Sequence, residues 1–228
     1  IFFQMVLEYN AMKSGLSIAP LSLSMFVVAM IAGRRAGKRR TPTIIRAGFA
    51  LLTVGALIQI LIVPRADSGW YFAPALIVMG CGLGLLVSQL NNYTLAPISD
   101  DQISEAAGVN SASGQFGLSV GLAVAGAVML ATLSFAFTDM AEKSTVLTPD
   151  EQVQVADALD EDAEVMSNSQ LDALITQVPP ETEDEILRIN SDARSLALQF
   201  ALLVPLIAGL LGLALSFLMV RLPDIEGA

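Results

Sequence analysis

The sequence contains no histidine and a single cysteine, Cys81. These absences exclude disulfide frameworks, zinc clusters and histidine-based acid–base catalysis, so neither an enzyme, a metal site nor a cofactor is expected. Charge is scarce as well: 15% of the 228 residues are charged and 54% are apolar, the balance of a membrane protein. What charge there is lies unevenly. Fifteen of the 22 acids fall between Asp139 and Asp192 with only Lys143 and Arg188 beside them, giving that segment −13 and the remainder +3. The overall −10 therefore describes one loop, and nucleic acid is not an expected partner. The chain opens at Ile1 inside the run IFFQMVL, without an initiator Met, a basic n-region or a small-residue cleavage site, and reads as a piece of something longer.

What the chain has instead is long uncharged runs. A helix needs about 20 apolar residues to cross ~30 Å of hydrocarbon, and five runs meet that length: roughly 15–32, 43–63, 70–90, 116–137 and 196–220, with a truncated sixth at 1–7. Backbone groups in lipid must be satisfied within the segment, and the short alternation of a barrel is absent, so the expected fold class is an all-α polytopic transmembrane bundle. Arg46 is the only charge inside a complete span and lies near its end, within snorkelling reach of the headgroups. The domains that follow are a membrane bundle over 1–137, an acidic helical loop over 138–195, and a last span with its tail over 196–228.

Orientation comes from the bases. Arg34, Arg35, Lys38, Arg39 and Arg40, with Arg46 beyond and no acid nearby, place the first connection in the cytoplasm by the positive-inside rule. Alternation then puts Pro64–Gly69 outside, Asn91–Gln115 inside, the acidic loop outside and the tail after Arg221 inside. Trp70 and Tyr71 serve as interfacial anchors. Within the acidic loop, Thr148-Pro149-Asp150-Glu151 has a capping pattern, and Ala156, Leu159, Ala163 and Met166 recur at helical spacing. Leu171, Leu174, Ile175 and Val178 repeat that spacing before Pro179-Pro180, and Thr182-Glu183-Asp184-Glu185 reads as a further cap. A small extracytoplasmic helical cap is predicted.

Few motifs carry chemistry. Gly117-Leu118-Ser119-Val120-Gly121 matches a nucleophile pattern that requires a strand-to-helix elbow and a general base, and the chain has no histidine to be one. The same glycines stand four apart with Ala125 and, beyond, Gly126, which predicts a close helix-packing face at Gly117, Gly121 and Gly126. Gly33–Lys38 is close to a phosphate loop but has three residues between its glycines and Arg39 where Ser or Thr is needed. Asn92-Tyr93-Thr94 matches a glycosylation acceptor on the predicted inner side. Gly80, Gly82 and Gly84 predict close packing or a flexible gate. Amides at membrane depth or its edges are expensive unless they face a cavity or a partner helix. Gln59, Gln89, Asn91, Asn92 and Gln115 are accordingly candidates to line a solute pathway, with interhelical bonding as the alternative for these and for Gln199.

Several stretches resemble the C-terminal half of a major facilitator superfamily transporter of the fourteen-helix drug:proton antiporter branch. Leu7-Glu8-Tyr9-Asn10-Ala11-Met12-Lys13-Ser14-Gly15-Leu16 with Ala19-Pro20-Leu21 is similar to a junction of that branch. Gly33-Arg34-Arg35-Ala36-Gly37-Lys38-Arg39-Arg40 resembles the basic cytoplasmic loop between paired helices, without its usual acid. Pro97, Ala106-Ala107-Gly108-Val109-Asn110, Gln115-Phe116-Gly117 and Gly121-Leu122-Ala123 resemble the approach to the penultimate helix, although Gly114 stands where Arg is frequent and Ser104 where Gly is. A large outer loop before the last helix also occurs in the branch. The resemblance implies export of amphipathic small molecules, cations among them, by proton antiport with alternating access. It further implies a bacterial inner membrane, with lipid, substrate, protons and a missing N-terminal bundle as partners. No acid lies in any complete span, so a proton-carrying carboxylate would belong to the missing half. A non-transporting scaffold or sensor, binding a partner through its acidic outer loop, is the alternative.

Overall fold

The computed structural model describes residues 2–5, 7, 9–34, 41–66, 68–161 and 180–219. Its helices are α1 (Phe2–Met5), α2 (Ala11–Arg34), α3 (Thr41–Ile62), α4 (Ala73–Leu95), α5 (Ile103–Glu142), α6 (Pro149–Glu161), α7 (Pro180–Ala201) and α8 (Leu203–Met219), and no strand occurs among the described residues. Five helical segments are long and apolar enough to cross a membrane, as the sequence predicts: Ala11–Arg34, Thr41–Arg65, Gly69–Leu95, Ile103–Glu142 and Glu181–Met219.

The helices overrun the predicted span ends. The polar stretch Asn91–Gln115 is mostly helix, and only 96–102 separates α4 from α5. Polar side chains extend α4 by bonding back to it: Asn92 Nδ2 donates to the Ser88 carbonyl at 3.4 Å and Thr94 Oγ1 to the Leu90 carbonyl at 2.8 Å. Pro97, which has no N–H, follows directly after the end of α4. At 40 residues α5 is about 60 Å long, so roughly half of it can lie in hydrocarbon. The last predicted span is two helices, because Pro205 has no N–H for the Ala201 carbonyl and the chain turns at Leu202. Nor does Thr182 cap α7. That helix starts at Pro180, proline being favoured at the first helical position, and Thr182 is buried inside it.

The chain folds as two units. The first comprises Ile1–Ser17, Ile60–Tyr71 and Val124–Leu202. Its core is two apolar stripes, Leu133, Ala136, Phe137 and Ala141 on α5 and Ile186, Ile189, Ala193 and Ala197 on α7, closed by Leu147 and Ala156. The spacing of three and four puts each stripe on one helix face. The predicted cap of α6 forms, with Thr148 N and Oγ1 donating to Glu151 Oε2 at 2.8 and 2.7 Å. The backbone bond from Thr148 holds the Glu151 carboxyl below its usual range, and the Thr148 hydroxyl adds to it. Gln152 Nε2 donates to the Ser144 carbonyl at 2.9 Å, and Ser144 Oγ donates to Glu185 Oε1 at 2.7 Å, which ties the turn before α6 to α7. Arg188 bridges Glu185 and Asp192 on the exposed side of α7. The buried Arg194 donates from Nε to Asn190 Oδ1 at 3.0 Å. The predicted helix around Leu171–Val178, together with Ala163 and Met166, lies outside the described residues.

In the same unit Tyr9 clasps the turn after α3. Its hydroxyl accepts the Gly69 N–H at 3.0 Å and pairs with Ser68 Oγ at 3.1 Å, and Lys13 Nζ sits 3.7 Å from its ring centroid. These bonds, Ser68 first and then Gly69, hold the Tyr9 phenol below the usual tyrosine range. Trp70 and Tyr71 are exposed beside it.

The second unit comprises Ile18–Gln59, Phe72–Ala123 and Leu203–Ala228. Small residues set its packing. Residues two apart on a helix point about 200° apart, so Gly80 and Gly84 face one neighbour while Gly82 faces the other. A Cβ on Gly84 would stand 2.6 Å from the Met25 carbonyl oxygen of α2, and one on Gly80 would collide with Leu21 and Ser24. A Cβ on Gly82 would stand 2.7 Å from the Gly48 carbonyl oxygen of α3. A neighbouring face of α3 meets α8, where Gly209 lies under Thr53 and Gly212 under the Phe49 ring.

Candidate functional site

The amides singled out in the sequence do not form one cluster. Gln89 of α4 is 3% exposed, and its Nε2 reaches the Ala32 carbonyl of α2 at 3.5 Å. Ala32 is in the last turn of α2, where the final four carbonyls have no intrahelical donor, so Gln89 acts as a side-chain cap. Asn91 Oδ1 accepts from Asn110 Nδ2 at 2.8 Å, joining the end of α4 to the start of α5. Asn92 is exposed and bonds back to its own helix, and Gln59 is half-buried. Gln115 is exposed on α5. The structure thus brings Asn91 to Asn110, a partner that sequence reasoning passed over because nothing in the spacing across a proline-broken turn marks the pair.

Of the basic segment, Gly33 and Arg34 end α2, where a cation complements the helix dipole. Arg35, Gly37, Lys38, Arg39 and Arg40 lie outside the described residues. Arg46 is held more closely than a snorkelling residue. Its guanidinium lies 4.0 Å from the Phe217 ring centroid, within cation–π range, while its Nε is buried without a hydrogen-bond partner among the described residues.

The helix-packing face expected at Gly117, Gly121 and Gly126 meets no neighbour among the described residues. Nothing among the described residues comes within 4 Å of a Cβ built on any of the three. The glycines that do pack are on α3, α4 and α8, with Gly69 in the turn before α4. Ser119 sits mid-helix with its Oγ donating to the Gln115 carbonyl at 3.0 Å, so the nucleophile-like pattern is on a helix and not at an elbow.

The sequence profile of the Major Facilitator Superfamily matches residues 1–122. The chain belongs to the Major Facilitator Superfamily. Membership and five apolar helices together make it a multi-pass membrane protein of a transporter family. The chain is 27% identical over 136 residues to the probable actinorhodin transporter of Streptomyces coelicolor, covering 58% of this chain and 24% of that protein. It is 28% identical over 133 residues to the multidrug resistance protein Stp of Mycobacterium tuberculosis, with the same coverage of 58% and 24%. A third relative, the multidrug resistance protein B homolog of Mycobacterium tuberculosis, is 25% identical over 150 residues, 65% of this chain and 28% of that protein. The chain therefore spans about a quarter of the length of the curated relatives it matches. No solved structure matches.

Proposed function

We propose that this superfamily chain is the C-terminal membrane bundle of a secondary transporter that exports amphipathic small molecules by proton antiport. The observation that carries the reading is the superfamily match over residues 1–122 together with relatives named for actinorhodin transport and multidrug resistance. Alternating access would rock this bundle against an N-terminal one around a site near the bilayer midplane, in the inner membrane of a bacterium. Gln59, Gln89, Asn91, Asn92 and Gln115 are the proposed pathway amides, and of these Gln115 lies on the part of α5 that no described helix covers. Residues 138–195 would form the extracytoplasmic domain and 1–137 with 196–228 the membrane part. Arg34, Arg35, Lys38, Arg39 and Arg40 would face the cytoplasm, as the excess of bases requires.

The test is transport in proteoliposomes with an imposed proton gradient. The whole protein carrying this chain moves a cationic dye in a gradient-dependent way, and the 228 residues alone do not, since the spans predicted from sequence contain no carboxylate to carry a proton. Gradient-driven accumulation by the 228 residues alone would refute the two-bundle reading. The scaffold alternative is favoured by one observation, the hydrogen-bond network within the acidic segment, where Ser144 joins Glu185. It predicts no dye movement by the whole protein and a partner that co-purifies with it.

A further inference from the structure

A cleft of about 530 Å³ lies between the end of α4 and the first turns of α5. That volume suits a small organic molecule. Leu95, Ile98, Ala106 and Val109 give it an apolar wall. The polar groups that line it are mixed: Gln102, whose Oε1 takes the Ser99 hydroxyl, keeps its amide N–H groups, and Ser113 carries a hydroxyl, while three others offer acceptors. Thr94 Oγ1 spends its hydrogen on the Leu90 carbonyl. Asn110 gives a hydrogen to Asn91 Oδ1 and keeps its own side-chain oxygen. Glu105 contributes its carboxyl oxygens.

Charge, not hydrogen-bonding capacity, decides the ligand's sign. No Lys or Arg occurs between Arg65 and Lys143, and among the described residues the ion pairs involve Asp139, Glu185 and Asp192 but not Glu105. Asp100 and Asp101 stand in the same turn. The N-terminus of α5 contributes only about half an elementary positive charge, which three carboxylates outweigh. No Lys or Arg is among the residues that line the cleft, so an anion finds no base in its wall, and a hard metal ion finds no group of three acidic or thiol ligands among the described residues. An apolar wall facing one carboxylate selects a cation that also carries apolar surface.

We propose that this cleft binds amphipathic organic monocations, with Glu105 as counter-ion and Leu95, Ile98 and Val109 as the apolar seat. Its role as a collecting site for substrate before export rests on the efflux reading and on the cytoplasmic placement of this turn; the binding itself does not.

Binding of tetraphenylphosphonium is measured on the whole protein in lipid nanodiscs, with triphenylphosphine oxide as a neutral probe of similar shape. Glu105→Gln weakens tetraphenylphosphonium about tenfold and the oxide less than about twofold, because only the cation loses its counter-ion. Glu105→Asp keeps most of the affinity, and Val109→Trp, which fills the cleft, weakens both probes. High salt weakens only the cation. Tetraphenylphosphonium binding that is unchanged by both Glu105→Gln and Val109→Trp overturns the site. Efflux is read separately in proteoliposomes: probe bound in the cleft without efflux by the wild type supports the site and removes the transport reading, whereas efflux with binding indifferent to both variants overturns the site and leaves transport standing.

Discussion

The side-chain amide of Gln199 donates to the Ile60 carbonyl at 2.9 Å, at the point where Pro64 has no N–H to offer four residues back. A proline near the end of α3 and a glutamine on α7 thus meet in one unit, where α7 also packs against the short 3-10 turn Val63–Arg65.

The pair predicts a particular coupling. Gln199→Leu removes the donor and lowers stability by about 1 kcal/mol, the usual net worth of a hydrogen bond at a half-buried position. Pro64→Ala restores an N–H at the position that the helix would use. Added to Gln199→Leu, it recovers most of the loss, so the two changes are not additive. Thermal unfolding in detergent of the four proteins of this cycle checks it, and strict additivity would show that Gln199 and Pro64 do not share the carbonyl.

The glycines divide into two classes with opposite expectations. Gly82→Ala places a methyl 2.7 Å from the Gly48 carbonyl oxygen, a backbone atom that cannot swing aside, and costs about 1–3 kcal/mol. Gly121→Ala meets nothing within 4 Å and gains up to about 1 kcal/mol of helix propensity. Melting of the 228-residue chain in detergent should therefore move down for the first and not down for the second. A loss at Gly121 in the whole protein alone would show that a segment beyond this chain covers that face.

The membrane architecture was legible because hydrocarbon imposes helices and a fixed length, and both are readable in uncharged runs such as 43–63 and 70–90. The cap Thr148-Pro149-Asp150-Glu151 was legible because its bonds span only three residues. Gly117 and Gly121 have no neighbour among the described residues; a four-residue glycine spacing states that a helix can be approached closely, not which segment does so. Gly80, Gly82 and Gly84 do pack closely, one of the two readings their run allowed, but Gly48 as the partner of Gly82 was not legible, since the pair lies on two helices. Asn110 was missed as the partner of Asn91 for the same reason: the contact depends on how a turn ending in Gln102 returns the chain, which no local pattern encodes.

The acidic segment should respond to pH through α6. Glu151 has its carboxyl pKa depressed by the Thr148 backbone and hydroxyl bonds, so it binds protons more weakly folded than unfolded. Its stabilising contribution is complete above the unfolded glutamate value and is lost as pH falls through the lower folded value. Protection from hydrogen exchange at the start of α6, taken relative to the intrinsic rate at each pH, should fall across that acid window, and Thr148→Ala should flatten the dependence while lowering protection at neutral pH. Protection that is independent of pH between the two values would mean that the cap does not form in solution.

Six bases and no acid lie between Gly33 and Arg46, while the segment around Asp160 belongs to the run that carries −13. Lys and Arg resist translocation, so the first connection should be cytoplasmic and the acidic segment external. The Tyr9 clasp agrees with that alternation, since it joins two turns, one before α2 and one after α3, that any even number of crossings between them must leave on the same side. In a Cys81→Ser background, an impermeant maleimide applied to intact cells should label Ala158→Cys and leave Ala36→Cys unlabelled until the membrane is opened. Ser68→Cys should label from outside as well, and faster when Tyr9→Phe removes the hydroxyl that covers it. Labelling of Ala36→Cys but not Ala158→Cys would reverse the orientation, and it would move the Glu105 cleft to the outer side, where it could no longer collect substrate from the cytoplasm.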